Sequence, residues 1–136
     1  MSNKEIQRLS MPWEKDYQYA QGIKSGETIW LAGQLGHDEK AVLAEGMEAQ
    51  VQQTYANIKK LLTAFNLEPD DVVEEVMYVL DMPLAFEATK KARTGFYNRP
   101  DEVATTILAV SGLALPGQLI EIKIVARSKR IKSISL

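Results

Sequence analysis

The sequence predicts a single α+β domain in which a mixed β-sheet carries two helices on one face. Three observations lead there. Apolar residues alternate in runs towards both ends of the chain, they recur at three- and four-residue steps in two internal stretches, and no linker, repeat or low-complexity tract interrupts residues 1–136. The resulting order is ββ-α-β-α-ββ.

Residues 17–24, YQYAQGIK, alternate as a strand. SGE (25–27) supplies turn chemistry, with Gly26 free to take positive φ, and TIWLAGQLG (28–36) follows as a second strand. The two read as a hairpin with a three-residue connection. Gly33 inside the apolar run marks a bulge or a close backbone approach. HDEKAVLAEG is then a polar loop. From Met47 the period changes: Met47, Val51, Tyr55, Ile58, Leu61, Leu62 and Phe65 form one stripe, with Glu48, Gln52, Asn57 and Lys60 between them. NLEPDD ends this helix, and VVEEVMYVLDM (72–82) is a β-branched strand. Pro83 suits the first turn of a second helix over 83–98, with Leu84, Ala85, Ala88, Ala92 and Phe96 on its inner side. RPDE breaks it. Two apolar strands within residues 102–126, separated by a Ser-Gly…Pro-Gly connection, complete the reading, and residues 128–136 are left unassigned.

With both helices on one face, the other face of the sheet is wet or covered by a second subunit. Trp30, Ile107 and Leu108 are apolar at strand positions that a helix-facing core does not need, which points to oligomerisation.

Composition narrows the function classes. The chain is 46% hydrophobic and 25% charged with net charge −2, and its charges are interspersed, unlike a nucleic-acid-binding face. The basic ARSKRIK at 126–132 reads as a solvated tail. The absence of cysteine excludes disulfides, thiolate catalysis and cysteine-ligated zinc, and the single histidine, His37, excludes a multi-histidine metal centre. No cofactor is expected. The start MSNKEIQRLS lacks the apolar core of a signal peptide and no apolar run reaches membrane-spanning length, so a cytoplasmic protein with no membrane contact is expected.

Four stretches carry a resemblance: YAQGIKSGETIWLAGQLG, the helix over 47–66, DDVVEEVMYVLDM, and VATTILAVSGLALPGQLIEIKIVA. In order and spacing, over residues 17–127, they resemble the Rid family of reactive intermediate deaminases, also called YjgF-like proteins and endoribonuclease L-PSP-like proteins. The resemblance implies a fold like trimeric bacterial chorismate mutase and a homotrimer with a small-molecule cleft at each subunit seam. In the deaminating branch it implies hydrolysis of an enamine or imine to a carbonyl compound and ammonia. There an arginine grips the substrate carboxylate and a glutamate positions the attacking water.

Carried over residue by residue, the resemblance places Tyr19 on the pocket tyrosine. Gly33 and Gln34 fall on the glycine and glutamine of an SGQ strand, with Ala32 at its serine. Glu121 falls on the water-positioning glutamate. Thr105 stands where the arginine is usual, and Ile107 occupies the next inward position. Lys90 approximates a pocket asparagine on the second helix; Lys91, Arg93 and His37 are the other cations near the expected cleft.

On pattern alone these residues have plainer readings. Glu121 alternates with Lys123 opposite Ile120, Ile122 and Ile124, as a solvent-side charge does; Tyr19 is a half-buried strand aromatic; Thr106 faces away from Thr105 and is structural. Two function classes follow. One is an imine or enamine hydrolase acting through Glu121, on substrates other than the usual 2-imino acids because position 105 lacks a cation. The other is a non-enzymatic module that keeps the fold and binds a metabolite or partner. A nuclease reading finds neither a basic groove nor an aromatic stacking run to support it.

Overall fold

The computed structural model describes residues 3–128, and residues 129–132 of the basic stretch lie outside them. Its order is β1 (Glu5–Gln7), α1 (Pro12–Tyr17), β2 (Gly22–Ser25), β3 (Thr28–Gln34), α2 (Met47–Ala64), β4 (Val72–Val79), α3 (Met82–Phe96), β5 (Ala104–Ala109) and β6 (Ile120–Arg127), with short 3-10 turns before β4 and β5. The six strands form one mixed sheet, ordered β1-β2-β3-β6-β4-β5. Every pair is antiparallel except β4–β5, which runs parallel because α3 carries the chain back across the sheet. The expected α+β class and the five-strand, two-helix frame are present.

The differences lie at the N-terminus and in one turn. Residues 17–21 are not strand: Tyr17 ends α1, Gln18 adopts a left-handed φ of 65°, and β2 starts at Gly22. Pro12 pre-sets the first turn of α1, and the Glu14 carboxylate accepts the otherwise unpaired amides of Leu9 and Met11, each at 3.0 Å. The β2–β3 connection is two residues, since Ser25 pairs with Thr28; Gly26 at φ 63° takes the first central position, as a type II′ turn requires.

All seven residues of the α2 stripe are buried, and α2 packs beside α3 over the β3, β6, β4 face of the sheet. Ile120, Ile122, Ile124 and Ala126 of β6 supply the centre of that core. α3 turns Ala85 and Thr89 inward, while Leu84, expected inside, is 58% exposed. The reason is the helix start: Asp81 caps it by accepting Leu84 N at 3.1 Å, which fixes Leu84 on the outer side of the first turn.

The opposite sheet face carries Trp30 (42% exposed), Val73 and Leu108. Ile107, expected with them, instead pairs with Met77 and packs against the helix-side core. Among the described residues no helix is long and apolar enough to cross a membrane.

Candidate functional site

The register of β6 decides where Glu121 points. Ile120 and Ile122 are fully buried under the helices, so Glu121 between them projects from the other face, in the row with Tyr78 and Leu108. There it folds over Gly33. A β-carbon at 33 would lie 2.0 Å from Glu121 Oε2, so the bulge between Leu31 and Gln34 and the missing side chain together make room for the carboxylate. Buried Gln118 holds it from below, donating from Nε2 to Ile120 O (3.2 Å) and to Glu121 Oε1 (3.3 Å), while its own Oε1 accepts Leu115 N (3.1 Å).

This carboxylate opens onto a cavity of about 620 Å³ whose walls include Tyr19, Trp13, Tyr17, Leu35, Leu115 and Asp16. The structure thus brings together Glu121, Gly33 and Tyr19. Burial, followed by the charge of Glu14, pushes the Tyr19 hydroxyl above its usual pKa; Glu121 adds to this, and a 3.4 Å bond from Gln21 opposes it. The phenol is therefore a neutral donor at ordinary pH. Gln34 is spent internally, donating to Gln21 Oε1 at 2.7 Å and to Ala32 O at 2.9 Å, and Ala32 N donates to Gln21 O. Trp13, Asp16 and Gln118 are not singled out by the sequence; Trp13 and Asp16 sit on a helix in a stretch to which the spacing assigns no element, and nothing in the spacing marks Gln118.

Thr105, Ile107 and Lys90 are elsewhere. Thr105 pairs with Glu75 and Ile107 with Met77, so both face the helices, on the side of the sheet opposite Glu121. With Lys90, Arg93, Met77, Phe86 and Thr89 they line a second cavity of about 150 Å³. One chain does not bring Thr105 and Glu121 together; each lines a cavity of its own.

The second cavity is built on a residue that the sequence does not single out. Glu75 is 0% exposed, inside a strand whose alternation is shifted by a bulge between Val72 and Glu74. Its Oε1 accepts the hydroxyls of Tyr55 (2.8 Å) and Tyr97 (2.9 Å); its Oε2 accepts Thr105 Oγ1 (2.9 Å) and Arg93 Nε. Four donors saturate the buried carboxylate. Burial, reinforced by the Glu75 charge, holds both tyrosine hydroxyls far above their usual pKa. Burial alone would lower the Arg93 pKa, but its bond to Glu75 and the paired charge outweigh that and raise it. Arg93 also donates from Nη2 to Thr105 Oγ1 (2.8 Å) and Pro100 O (3.1 Å). A guanidinium therefore lies on Thr105, delivered from α3 and not from β5.

The remaining candidates have plain roles. Lys91 pairs with Glu48 at 3.0 Å on the surface. His37 is buried, its Nδ1 2.9 Å from Asp38 O and its ring edge-on to Trp13.

Comparison with known proteins agrees with this frame. A family profile described as Endoribonuclease L-PSP matches residues 13–128. The RutC family protein YjgH of Escherichia coli is 26% identical over 112 residues, covering 82% of this chain and 84% of that one. A 2-iminobutanoate/2-iminopropanoate deaminase of Salmonella typhimurium is 32% identical over 65 residues, 47% of this chain and 51% of that one. The crystal structure of RidA from the Antarctic bacterium Psychrobacter sp. PAMC 21119 superposes with a TM-score of 0.81 at 27% identity, covering 93% of this chain and 99% of that one. With the profile match running from α1 to the end of β6, this chain belongs to the endoribonuclease L-PSP family, the Rid or YjgF-like proteins.

Proposed function

We propose that the chain is a cytoplasmic hydrolase of a small enamine or imine, acting in clefts closed where copies of the chain meet as a homotrimer. The observation that carries this reading is the Glu121 carboxylate, seated over Gly33, held by Gln118, and facing a cavity of about 620 Å³ beside the neutral Tyr19 hydroxyl. An imine carbon is already electrophilic. What it needs is a water fixed at bonding distance and a base to take its proton, both of which a positioned carboxylate supplies. Water adds across C=N, the proton passes by way of Glu121 to nitrogen, and collapse releases the carbonyl compound and ammonia.

The trimer enters because the two half-sites lie on opposite faces of one sheet. A ring contact that sets the Glu121 side of one copy against the Thr105 side of the next joins different patches, and such heterologous contacts close into rings. The exposed Trp30, Val73 and Leu108 on the outer face support burial there.

The reading is tested by generating small imines without an α-carboxylate in situ, by oxidising primary amines with a flavin amine oxidase, and timing ammonia release. The wild-type chain accelerates it, and Glu121→Gln loses roughly a hundredfold or more of that acceleration, the range typical of a lost general base. An unaccelerated reaction, with bound metabolite still detectable, assigns the fold to the binding module instead.

A further inference from the structure

We infer that the Glu121 cavity selects a cation, and that its substrate is the protonated imine of a primary amine with an aryl or alkyl tail. The walls supply the charge. Asp16 and Glu121 are both carboxylates, and no lysine, arginine or histidine stands among the residues that line the cavity with them. Among the described residues, Glu121 Oε2 accepts no hydrogen bond, and Asp16 has neither a hydrogen-bond nor an ion-pair partner. Open acceptors are thus left on this wall, where an anion would meet like charge and a cation would be paired. Glu14 adds further negative charge at the Tyr19 hydroxyl.

The rings act in the same sense. Trp13, Tyr17 and Tyr19 all line this cavity. The Tyr17 and Tyr19 centroids lie 6.2 Å apart with the ring planes at 72°, and the faces of such rings attract an ammonium-type cation. Tyr17 is 83% exposed at the end of a six-residue helix, so packing in the core does not account for it. Leu35, Ala114 and Leu115 make the rest of the lining apolar. A volume of about 620 Å³ is that of a small-molecule pocket, with room for a tail behind the charged group.

A cation also suits the chemistry. Nearby carboxylates favour the protonated form of an imine, which is the form that water attacks most readily. Water adds to the C=N carbon as Glu121 takes its proton, and that proton passes to nitrogen. The C–N bond then breaks with its electron pair going to nitrogen. The hydroxyl proton follows by way of the same carboxylate, leaving a carbonyl compound and ammonium.

The identity of the substrate as an imine rests on the hydrolase reading; the preference for a cation does not. The test titrates the full-length protein by calorimetry with benzylammonium, benzyl alcohol and benzoate, which are alike in size and differ in charge. Benzylammonium binds saturably and roughly tenfold more tightly than benzoate, with the alcohol between them. Asp16→Asn, at an exposed position, keeps its circular dichroism and the alcohol's affinity but weakens benzylammonium roughly tenfold, the fold-change for losing a charged hydrogen bond. No saturable benzylammonium binding, no preference over benzoate, or an unchanged affinity in folded Asp16→Asn overturns the proposal. Charge preference without ammonia release from amine-derived imines upholds it while the hydrolase reading falls. Ammonia release by a chain that binds all three ligands alike does the reverse.

Discussion

Glu121 and Glu75 are both carboxylates on central strands of the sheet, and neighbouring geometry gives them opposite fates. Glu121 keeps acceptor capacity facing a cavity, while Glu75 is consumed by four donors. Two outcomes follow at this scale. In Gly33→Ala the new methyl meets the Glu121 Oε2 position, the movable end of a flexible side chain. Stability therefore changes little while the carboxylate shifts, and turnover falls by about a hundredfold, as an ångström-scale misplacement does. Kinetics and a thermal melt on the same sample separate the two effects. In Arg93→Met the Glu75 carboxylate loses its cation, at a cost of about 3–5 kcal/mol in chemical denaturation, and E75Q/R93M recovers most of that. Resemblance, not alternation, singled out Glu121, Gly33 and Tyr19, which the structure gathers at one cavity. Glu75 was not legible, because in VVEEVMYV either glutamate could face inward until the bulge after Val72 sets the phase, and its cation sits 18 residues away on a helix.

At the scale of elements, α2 shows what periodicity can establish. Its seven-residue stripe is buried as the spacing requires, so Ile58→Ala, at a wholly buried site, costs about 2–5 kcal/mol. Leu84→Ala on α3 stays within about 0.5 kcal/mol in the same denaturation series, since that side chain is mostly in solvent. Spacing alone had grouped Leu84 with the core; the Asp81 cap, a phase marker one turn earlier, rotates it out. The N-terminal β1 and α1 were illegible for a related reason. Three residues of strand and six of helix are too short to show a period, and YQYAQ mimics alternation across a helix end.

For the molecule as a whole, the Tyr55–Tyr97–Glu75–Arg93 cluster ties α2, α3 and the β4–β5 edge together, which gives alkaline pH a particular effect. Both hydroxyls have folded pKa values raised above the ordinary range near 10. Their contribution is complete below that range and is lost as pH climbs past it, because only the unfolded chain releases those protons. Tyrosinate absorbance followed beside circular dichroism shows two of the five tyrosines ionising only as structure is lost; five ionising in a native spectrum would contradict the cluster. Strand and helix frame were legible in the sequence at this scale. The placement of Glu121 and Thr105 on opposite faces was not, since it depends on which side of the sheet each register places a residue.

The proposed sharing of the site between copies is most directly tested by mixing two inactive chains. Glu121→Gln keeps the Arg93 wall and E75Q/R93M keeps the Glu121 wall, so co-assembly in equal amounts rebuilds intact clefts at up to about a quarter of the seams by random assortment. Ammonia release approaching that share of wild type is the expected result. A mixture no more active than its two components run separately would contradict a site shared between neighbouring copies.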